Sequence, residues 1–449
     1  MVYNLFLTSK GQKVIRSLRN RKLMQGGVMK ERQIKINNSE RFPLLVDNSG
    51  MPFFAPNQYL LTMCRTNDAF NTLRAKARAV TLLYNFFELA DIDIEDRFKK
   101  GQLLLIPEIH SLCDFLRLHN DSIVRKNDVK NNDITVPKNK VIPYKLPVNN
   151  DKYIDNDSYN IRLVFVIKYL VWLVSVMTQD IHRSHDRYTS TMLAKDEMIR
   201  ILSSRKIKKK YRLRKKGMIS GNAEEFLVNI IDPNNKDNPF RGKFVRVRNE
   251  VYILLSLMTG LRRGMMLKIK CEHVDLVTNE LDIVRSPDDP HDTRVHEPNV
   301  KTGETTLHID EQLANLFKNY KEERNKLKKA RKHPYFFVSS FGNPLSEAQA
   351  GKIYIMLRNK FPDVLPENLS QHLIRHYWNE KFSRIAKEKN LNSVLSDNIR
   401  KNIMTWSQNS EMPDLYNEVF IQEESRKADM SVQNGVMKLR KKAKDQEES

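Results

Sequence analysis

Cysteine is nearly absent from this sequence: Cys64, Cys113 and Cys271 are the only three in 449 residues. They lie far apart and are too few for a disulfide framework or a thiolate zinc site, the usage expected of a chain in a reducing cell interior. Long apolar runs are also missing. The longest, residues 163–177, is fifteen residues with Lys168 in its middle, short of the roughly 20 that span a bilayer, so it reads as a buried helix. The opening MVYNLFLTSKGQKVIRSLRN has too short an apolar run and no small-residue cleavage site, so no signal peptide and no membrane partner are expected. There is no G-x-x-x-x-G-K-[ST] and no G-x-G-x-x-G, so no nucleotide cofactor is expected, nor a metal. Tandem repeats are absent too.

Acids are missing from two stretches. Residues 1–30 hold seven Lys/Arg and residues 200–216 hold ten, with no Asp or Glu in either. Over the whole chain 77 bases face 54 acids, a net charge of +23. That balance selects a polyanionic partner, nucleic acid or an anionic membrane, and argues against cationic substrates. With no membrane anchor, nucleic acid gains. A run such as 200–216 repels itself, so it is a linker or surface strand facing a polyanion, or else a solvated tail or nuclear-import address.

The chain is long enough for two or three domains. In RFPLLVDNSGMPFFAP the pattern predicts two short strands around an Asn-Ser-Gly turn at 48–50, so residues 1–57 read as a basic arm or small β-unit. From Thr66 the period becomes helical, with Ala69, Leu73, Ala77, Val80 and Tyr84 spaced by three or four. Helices continue through IPEIHSLCDFLRLH, pause in an Asn/Asp/Pro-rich loop at about 126–158, and resume near 160–178. Residues 58–199 therefore form a helical domain and 200–220 a linker. Residues 221–425 read as a helix at GNAEEFLVNII and another at 243–259, then strands at HVDLV, LDIVR and TTLHI. Further helices follow at 310–331, 345–360, 370–388, 396–406 and 413–425, and 426–449 is a charged tail. The predicted class is α+β, mostly helical, with a small three-stranded antiparallel sheet in the second domain.

Three segments of that domain carry residues suited to a phosphate. In Thr259-Gly260-Leu261-Arg262-Arg263, a glycine ends an apolar helix and presents an arginine to the next element. In Ser370-Gln371-His372-Leu373-Ile374-Arg375-His376-Tyr377-Trp378, Ser370 is a plausible N-cap. His372, Arg375 and His376 then share one helical face near a helix N-terminus, where the dipole favours an anion. The third segment is Met404-Thr405-Trp406, followed ten residues later by Tyr416. Alone, the first reads as an ordinary surface arginine at a helix junction, and the second equally well as a polar outer helix face.

Taken together they resemble the catalytic domain of the tyrosine recombinase (phage integrase) family. The resemblance lies in the order T-G-L-R, a lysine on a β-hairpin, H-x-x-R-H, His or Trp, then Tyr. Here that order is Arg262, Lys301 in Val300-Lys301-Thr302-Gly303-Glu304, His372 with Arg375, Trp406 and Tyr416, spread over 155 residues. Upstream, NDAFNTLRAKARAVTLLYNFFELADIDI is similar to the family's helical core-binding domain. The resemblance implies a site-specific recombinase or integrase that cleaves and rejoins DNA through a covalent 3′-phosphotyrosyl intermediate, serving integration, excision or transposition of a mobile element.

In that chemistry Arg262 and Arg375 clamp the growing charge on the nonbridging oxygens bidentately, as lysines could not. Tyr416, a phenol of pKa about 10, attacks phosphorus and keeps the bond energy in an aryl ester, so no ATP or other cofactor is needed. By the resemblance Lys301 protonates the leaving 5′-oxygen, and His372 assists proton transfer or hydrogen-bonds the phosphate. Trp406 donates its indole N–H and packs the site.

The family's acid three residues after the first arginine is Met265 here, and Arg375 and Trp406 stand 31 residues apart, which implies an insertion around KEKNLNSVLSDN. Arg263 competes with Arg262 for the first role, and the T-G-L-R register favours Arg262. Tyr377 lies about 100° from His376 and about 200° from Arg375 on a helix, so it faces the core, whereas His376 either points into the site or supports the helix. Candidate DNA contacts are Arg74, Lys76 and Arg78 on the 66–90 helix, the alternative being a solvated bundle face. In the linker they are Arg205, Lys206, Lys208, Lys209, Lys210, Arg212 and Arg214. The partners implied are double-stranded DNA with a specific site, three further copies of the chain in a homo-tetramer on paired sites, and accessory DNA-bending or directionality proteins. The expected location is the cytoplasm, on the nucleoid, or the nucleus if the source is eukaryotic. Two other readings stay open: a non-catalytic DNA-binding protein of the same fold, and a type IB topoisomerase or telomere resolvase using the same chemistry.

Overall fold

The computed structural model describes residues 29–36, 39–119, 153–208, 219–300 and 303–413, and then 417, 421, 425, 428–435, 437 and 438. The chain divides into two compact units, Met1–Arg212 and Leu213–Ser449.

In the first unit, β1 (Lys30–Lys35) and β2 (Arg41–Val46) form an antiparallel hairpin with Lys30 opposite Val46 and Lys35 opposite Arg41. The Asn-Ser-Gly turn is present: the Asp47 carboxylate accepts from the Ser49 and Met51 amides at 2.8 and 2.9 Å, and Gly50 takes φ +87°. The expected strand after it shrinks to one bridge, Val46 to Pro52, because Pro52 cannot donate and helix α1 (Phe54–Tyr59) begins at once. Nor does the hairpin stand apart from the helices. Met29, Phe42 and Leu45 share one core with Leu73, Val80 and Leu83, and the Asn57 amide exchanges hydrogen bonds with the Leu45 backbone at 2.9 and 2.7 Å.

The helices of this unit are α2 (Phe70–Leu89), α3 (Ile94–Lys99), α4 (Ile106–Leu116), α5 (Asn156–Met177) and α6 (Asp186–Ser204). By length and composition alone α5 could cross a membrane. Its Leu163, Val166, Tyr169, Leu170 and Leu173 are fully buried in this unit's core, and Lys168 is exposed. The helix expected near 160–178 ends at Met177, where the Thr178 hydroxyl bonds back to the Val174 carbonyl at 2.8 Å, and a separate helix, α6, follows. The Asn/Asp/Pro-rich loop lies mostly outside the described residues.

The second unit contains α7 (Gly221–Ile230), α8 (Lys243–Thr259) and α9 (Arg263–Lys268), then strands β3 (Val274–Asp275), β4 (Glu280–Ile283) and β5 (Thr305–His308). The strands form an antiparallel sheet in sequential order, with Leu281 paired to both Val274 and Leu307. Helices α10 (Glu311–Asn325), α11 (Glu347–Lys360), α12 (Gln371–Glu388) and α13 (Ser393–Ile403) follow. Asp310, Ser346, Ser370 and Asn392 cap their starts, each accepting an otherwise orphan amide. The fold is thus α+β and mostly helical, with a small three-stranded sheet.

Two helix ends differ from expectation for visible reasons. The 310–331 helix stops at Asn325 because the buried Arg324 guanidinium collects the carbonyls of Ala330, His333 and Tyr335 at 2.8 to 3.0 Å, curling the chain back. The 396–406 helix runs from Ser393 to Ile403 and ends where Thr405 takes φ +56°. Most of the helix expected at 413–425, and of the basic stretch after Lys208, lies outside the described residues.

Candidate active site

Gly260 is the hinge of the site. It ends α8 in the left-handed region at φ +62°, and a Cβ there would come within 2.9 Å of Trp378 and Met404 side-chain atoms. Only glycine lets the chain turn this closely against α12 and the 404 segment. Its carbonyl accepts a 2.7 Å hydrogen bond from Nη1 of Arg375, which is only 2% exposed. Two residues on, half-buried Arg262 occupies the N-cap position of α9. Arg263 instead points outward to Glu347 on α11 at 3.6 Å. Arg375 is thus fixed to the Gly260 turn, two residues before Arg262, while Arg263 is engaged elsewhere.

Gln371 locks this junction, and nothing in the sequence singled it out. Its Oε1 accepts the Tyr252 hydroxyl at 2.7 Å and its Nε2 donates to the Leu261 carbonyl at 3.1 Å. Met265, where the resemblance calls for an acid, is buried in the apolar core. The T-G-L-R backbone is thus held by a neutral amide from α12. Trp378, also unforeseen, covers Gly260 and donates its indole N–H to the Met258 carbonyl at 2.9 Å.

One turn before Arg375 on α12, exposed His372 meets His376, with their Nε2 atoms 3.0 Å apart and the rings edge to face. His376 thus lies on the same face of α12 as His372, as their i, i+4 spacing predicts. The Tyr377 hydroxyl donates to Glu224 on α7 at 2.6 Å. Burial, and then that carboxylate, raise its pKa above the ordinary phenol value, which makes Tyr377 a poor nucleophile.

Trp406 is buried and lies under the Arg375 guanidinium, 5.5 Å from cation to ring centroid. The separation of 31 residues between them is filled by α13 and its turns, which bring the chain back to α12. Lys301 and Thr302 lie outside the described residues, but their neighbours are placed. The Asn299 carbonyl sits directly against Gly264, where a Cβ would collide with it, Val300 is buried, and the Gly303 amide donates to the Thr405 carbonyl at 3.2 Å. Tyr416 is also outside the described residues. Asn417 is described: its Oδ1 accepts from Arg400 Nη1 at 3.0 Å, and its Nδ2 donates to Asp397 at 3.3 Å.

Arg375 and Trp406 thus meet at the Gly260 turn, with Arg262 two residues on in the chain, His372 one turn before Arg375 on α12, and the flanks of Lys301 against α9 and Thr405. Guanidinium and imidazole groups are of the kind that can bind an anion. Among the described residues no group of three or more His, Cys, Asp or Glu could hold a metal.

The N-terminal candidates fare differently. Arg74 and Arg78 both bond Glu31 of β1, and Lys76 pairs with Asp68. Each of these cations is thus engaged in an ion pair within its own unit. Arg205, Lys206 and Lys208 are exposed where α6 ends. There Asn160 clamps the Ile207 backbone by reciprocal bonds of 2.9 and 3.0 Å. Lys209, Lys210, Arg212 and Arg214 lie outside the described residues.

Residues 234–385 match the phage integrase family, the tyrosine recombinases. The span includes Arg262, Lys301, His372 and Arg375 and stops before Trp406 and Tyr416. No curated protein matches the chain. Among solved structures it is similar to the Tn1549 transposon integrase in complex with transposon right end DNA, with 14% identity, 84% of this chain and 100% of that one covered, and a TM-score of 0.45. It is similar also to XerA recombinase, with 12% identity, 82% and 97% covered, and a TM-score of 0.33. A third is XerH site-specific recombinase bound to palindromic difH substrate, with 13% identity, 83% and 94% covered, and a TM-score of 0.39.

Proposed function

We propose, from the match of residues 234–385 to the phage integrase family, that this chain is a site-specific DNA recombinase working through a 3′-phosphotyrosyl intermediate. Its partner is double-stranded DNA carrying a recombination site, on which four copies assemble. Tyr416 attacks the scissile phosphorus. Arg262 and Arg375 hold the two nonbridging oxygens as charge grows there. Lys301 delivers a proton to the departing 5′-oxygen, His372 assists, and Trp406 packs against Arg375. The observation that carries the reading is the Arg375 guanidinium, buried at the T-G-L-R turn, bonded to the Gly260 carbonyl and stacked on Trp406. A buried guanidinium at this turn offers the planar donor fork that suits a phosphate oxygen.

The test uses nicked suicide duplexes tiling the DNA that flanks the coding sequence. Wild-type protein is expected to give an SDS-resistant protein–DNA adduct on at least one duplex, and Tyr416→Phe none. An adduct from Tyr416→Phe would transfer the nucleophile elsewhere. No adduct from wild type on any duplex it binds would favour a non-catalytic DNA-binding protein.

A further inference from the structure

Two consecutive carbonyls lead from the end of α8 to Arg262, and two side chains one turn apart on α12 hold them. Nη1 of Arg375 donates to the Gly260 carbonyl at 2.7 Å, and Nε2 of Gln371 donates to the Leu261 carbonyl at 3.1 Å. A peptide unit is planar, so a hydrogen bond to its carbonyl constrains the whole plane. The plane held by Gln371 contains the backbone nitrogen and Cα of Arg262. One torsion, the Arg262 φ of −67°, then sets where its side chain leaves the backbone.

The Gln371 amide has a single orientation here. The Leu261 carbonyl can only accept, so the amide nitrogen faces it, and Oε1 is left to accept the Tyr252 hydroxyl at 2.7 Å. The second amide N–H meets the Met266 sulfur at 2.7 Å. Gln371 is 5% exposed and Tyr252 wholly buried, so water does not compete for these bonds. Packing alone would be served by an apolar side chain. A buried polar group with every partner in place adds one fixed arrangement. Met265, on the first turn of α9, brings only a thioether to the core, so the hold on the Leu261–Arg262 peptide comes from α12.

We propose that Gln371 is a positioning residue for Arg262: its amide fixes the peptide from which Arg262 reaches a nonbridging oxygen of the scissile phosphate. The proposal rests on the recombinase reading. In the step concerned, the tyrosine oxygen bonds to phosphorus as the bond from phosphorus to the 5′-oxygen breaks. The phenol gives up a proton, the departing oxygen gains one, and Arg262 keeps all of its own. Its part is to meet the charge on the nonbridging oxygen. A methyl group in place of that oxygen, in a methylphosphonate, removes the charge and with it the demand on Arg262.

The experiment measures first-turnover strand cleavage, with protein saturating, on three suicide duplexes that carry a phosphate or one or other methylphosphonate isomer at the scissile position. Each variant's rate is divided by the wild-type rate on the same duplex. Arg262→Ala is expected to be slow on phosphate and to recover on one isomer. Gln371→Met should be slowed about 10- to 100-fold on phosphate, the range for a misplaced group, and should recover on that same isomer. Gln371→Glu keeps the length and an acceptor for Tyr252 but, when ionised, has no proton for Leu261. It should behave likewise, and it decides the matter if Gln371→Met does not fold. Equal slowing of the Gln371 variants on all three duplexes, recovery only on the other isomer, or no slowing on phosphate overturns the positioning role and leaves the recombinase reading standing. An Arg262→Ala protein that recovers on neither isomer removes the charge-binding role and the inference with it. No cleavage of the phosphate duplex by wild type sinks the recombinase reading itself.

Discussion

A carboxyl that titrates near neutrality sits on α8, the helix that delivers Gly260. Burial first, and the charge of Asp232 second, raise the Glu250 pKa from 4.5 to about 7. Because the folded value lies above the unfolded one, this group's contribution to stability is complete below about pH 4.5 and is lost as pH rises through about 7. Glu250→Gln removes the ionisation. The variant's urea midpoint, followed by tryptophan fluorescence, should therefore gain on wild type between pH 5 and pH 8. A gap that stays constant over that range would mean Glu250 ionises freely. The sequence held no cue to this residue, because its environment is made by packing and not by neighbours along the chain. The contact of Arg375 with Trp406 accords with the motif order, because order within a motif survives without knowledge of packing. Gln371 was not legible, since a glutamine just after a capping serine carries no periodic signal. Met265 looked like a missing acid until its burial and the Gln371 amide showed what holds the turn.

Elements were legible wherever local chemistry ended them. Helix α8 runs from Lys243 to Thr259 as its apolar period and its closing glycine predict, and the three strands pair in sequential order. The misjudged boundaries, at Asn325 and Pro52, depend on tertiary carbonyls or on the partner strand. The insertion expected before Trp406 is largely a helix, α13, with a structural task. Its buried Arg400 donates to Ser383 of α12 at 2.8 Å and to Asn417, next to Tyr416, at 3.0 Å, and lies 4.9 Å from the Phe382 ring centroid. Arg400→Met keeps the bulk but leaves those polar partners unmatched, at about 1–3 kcal/mol for a buried group. The second unit should lose about that much stability in urea unfolding. An unchanged midpoint would show that Arg400 does not join α12, α13 and the tyrosine segment.

At the scale of the whole molecule the positive charge has an address. Residues 221–425 hold 30 bases against 29 acids, whereas residues 1–220 hold 40 against 21. The division between the two compact units, after Arg212, falls inside the acid-free run 200–216. If that run follows DNA phosphates, it and not the net charge should set the salt dependence of binding. Replacing Lys208, Lys209 and Lys210 with glutamine should flatten the log Kd against log salt slope by up to about 0.9 per lost phosphate contact, or about 2.7 for three. Lys328, Lys329 and Lys332 are exposed in the nearly neutral segment 221–425, and their triple glutamine variant removes the same charge from another place. That variant should leave the slope within about one contact of wild type. Equal flattening by both triple variants would mean that the protein meets DNA through its overall field, and the run between the units would lose its special role.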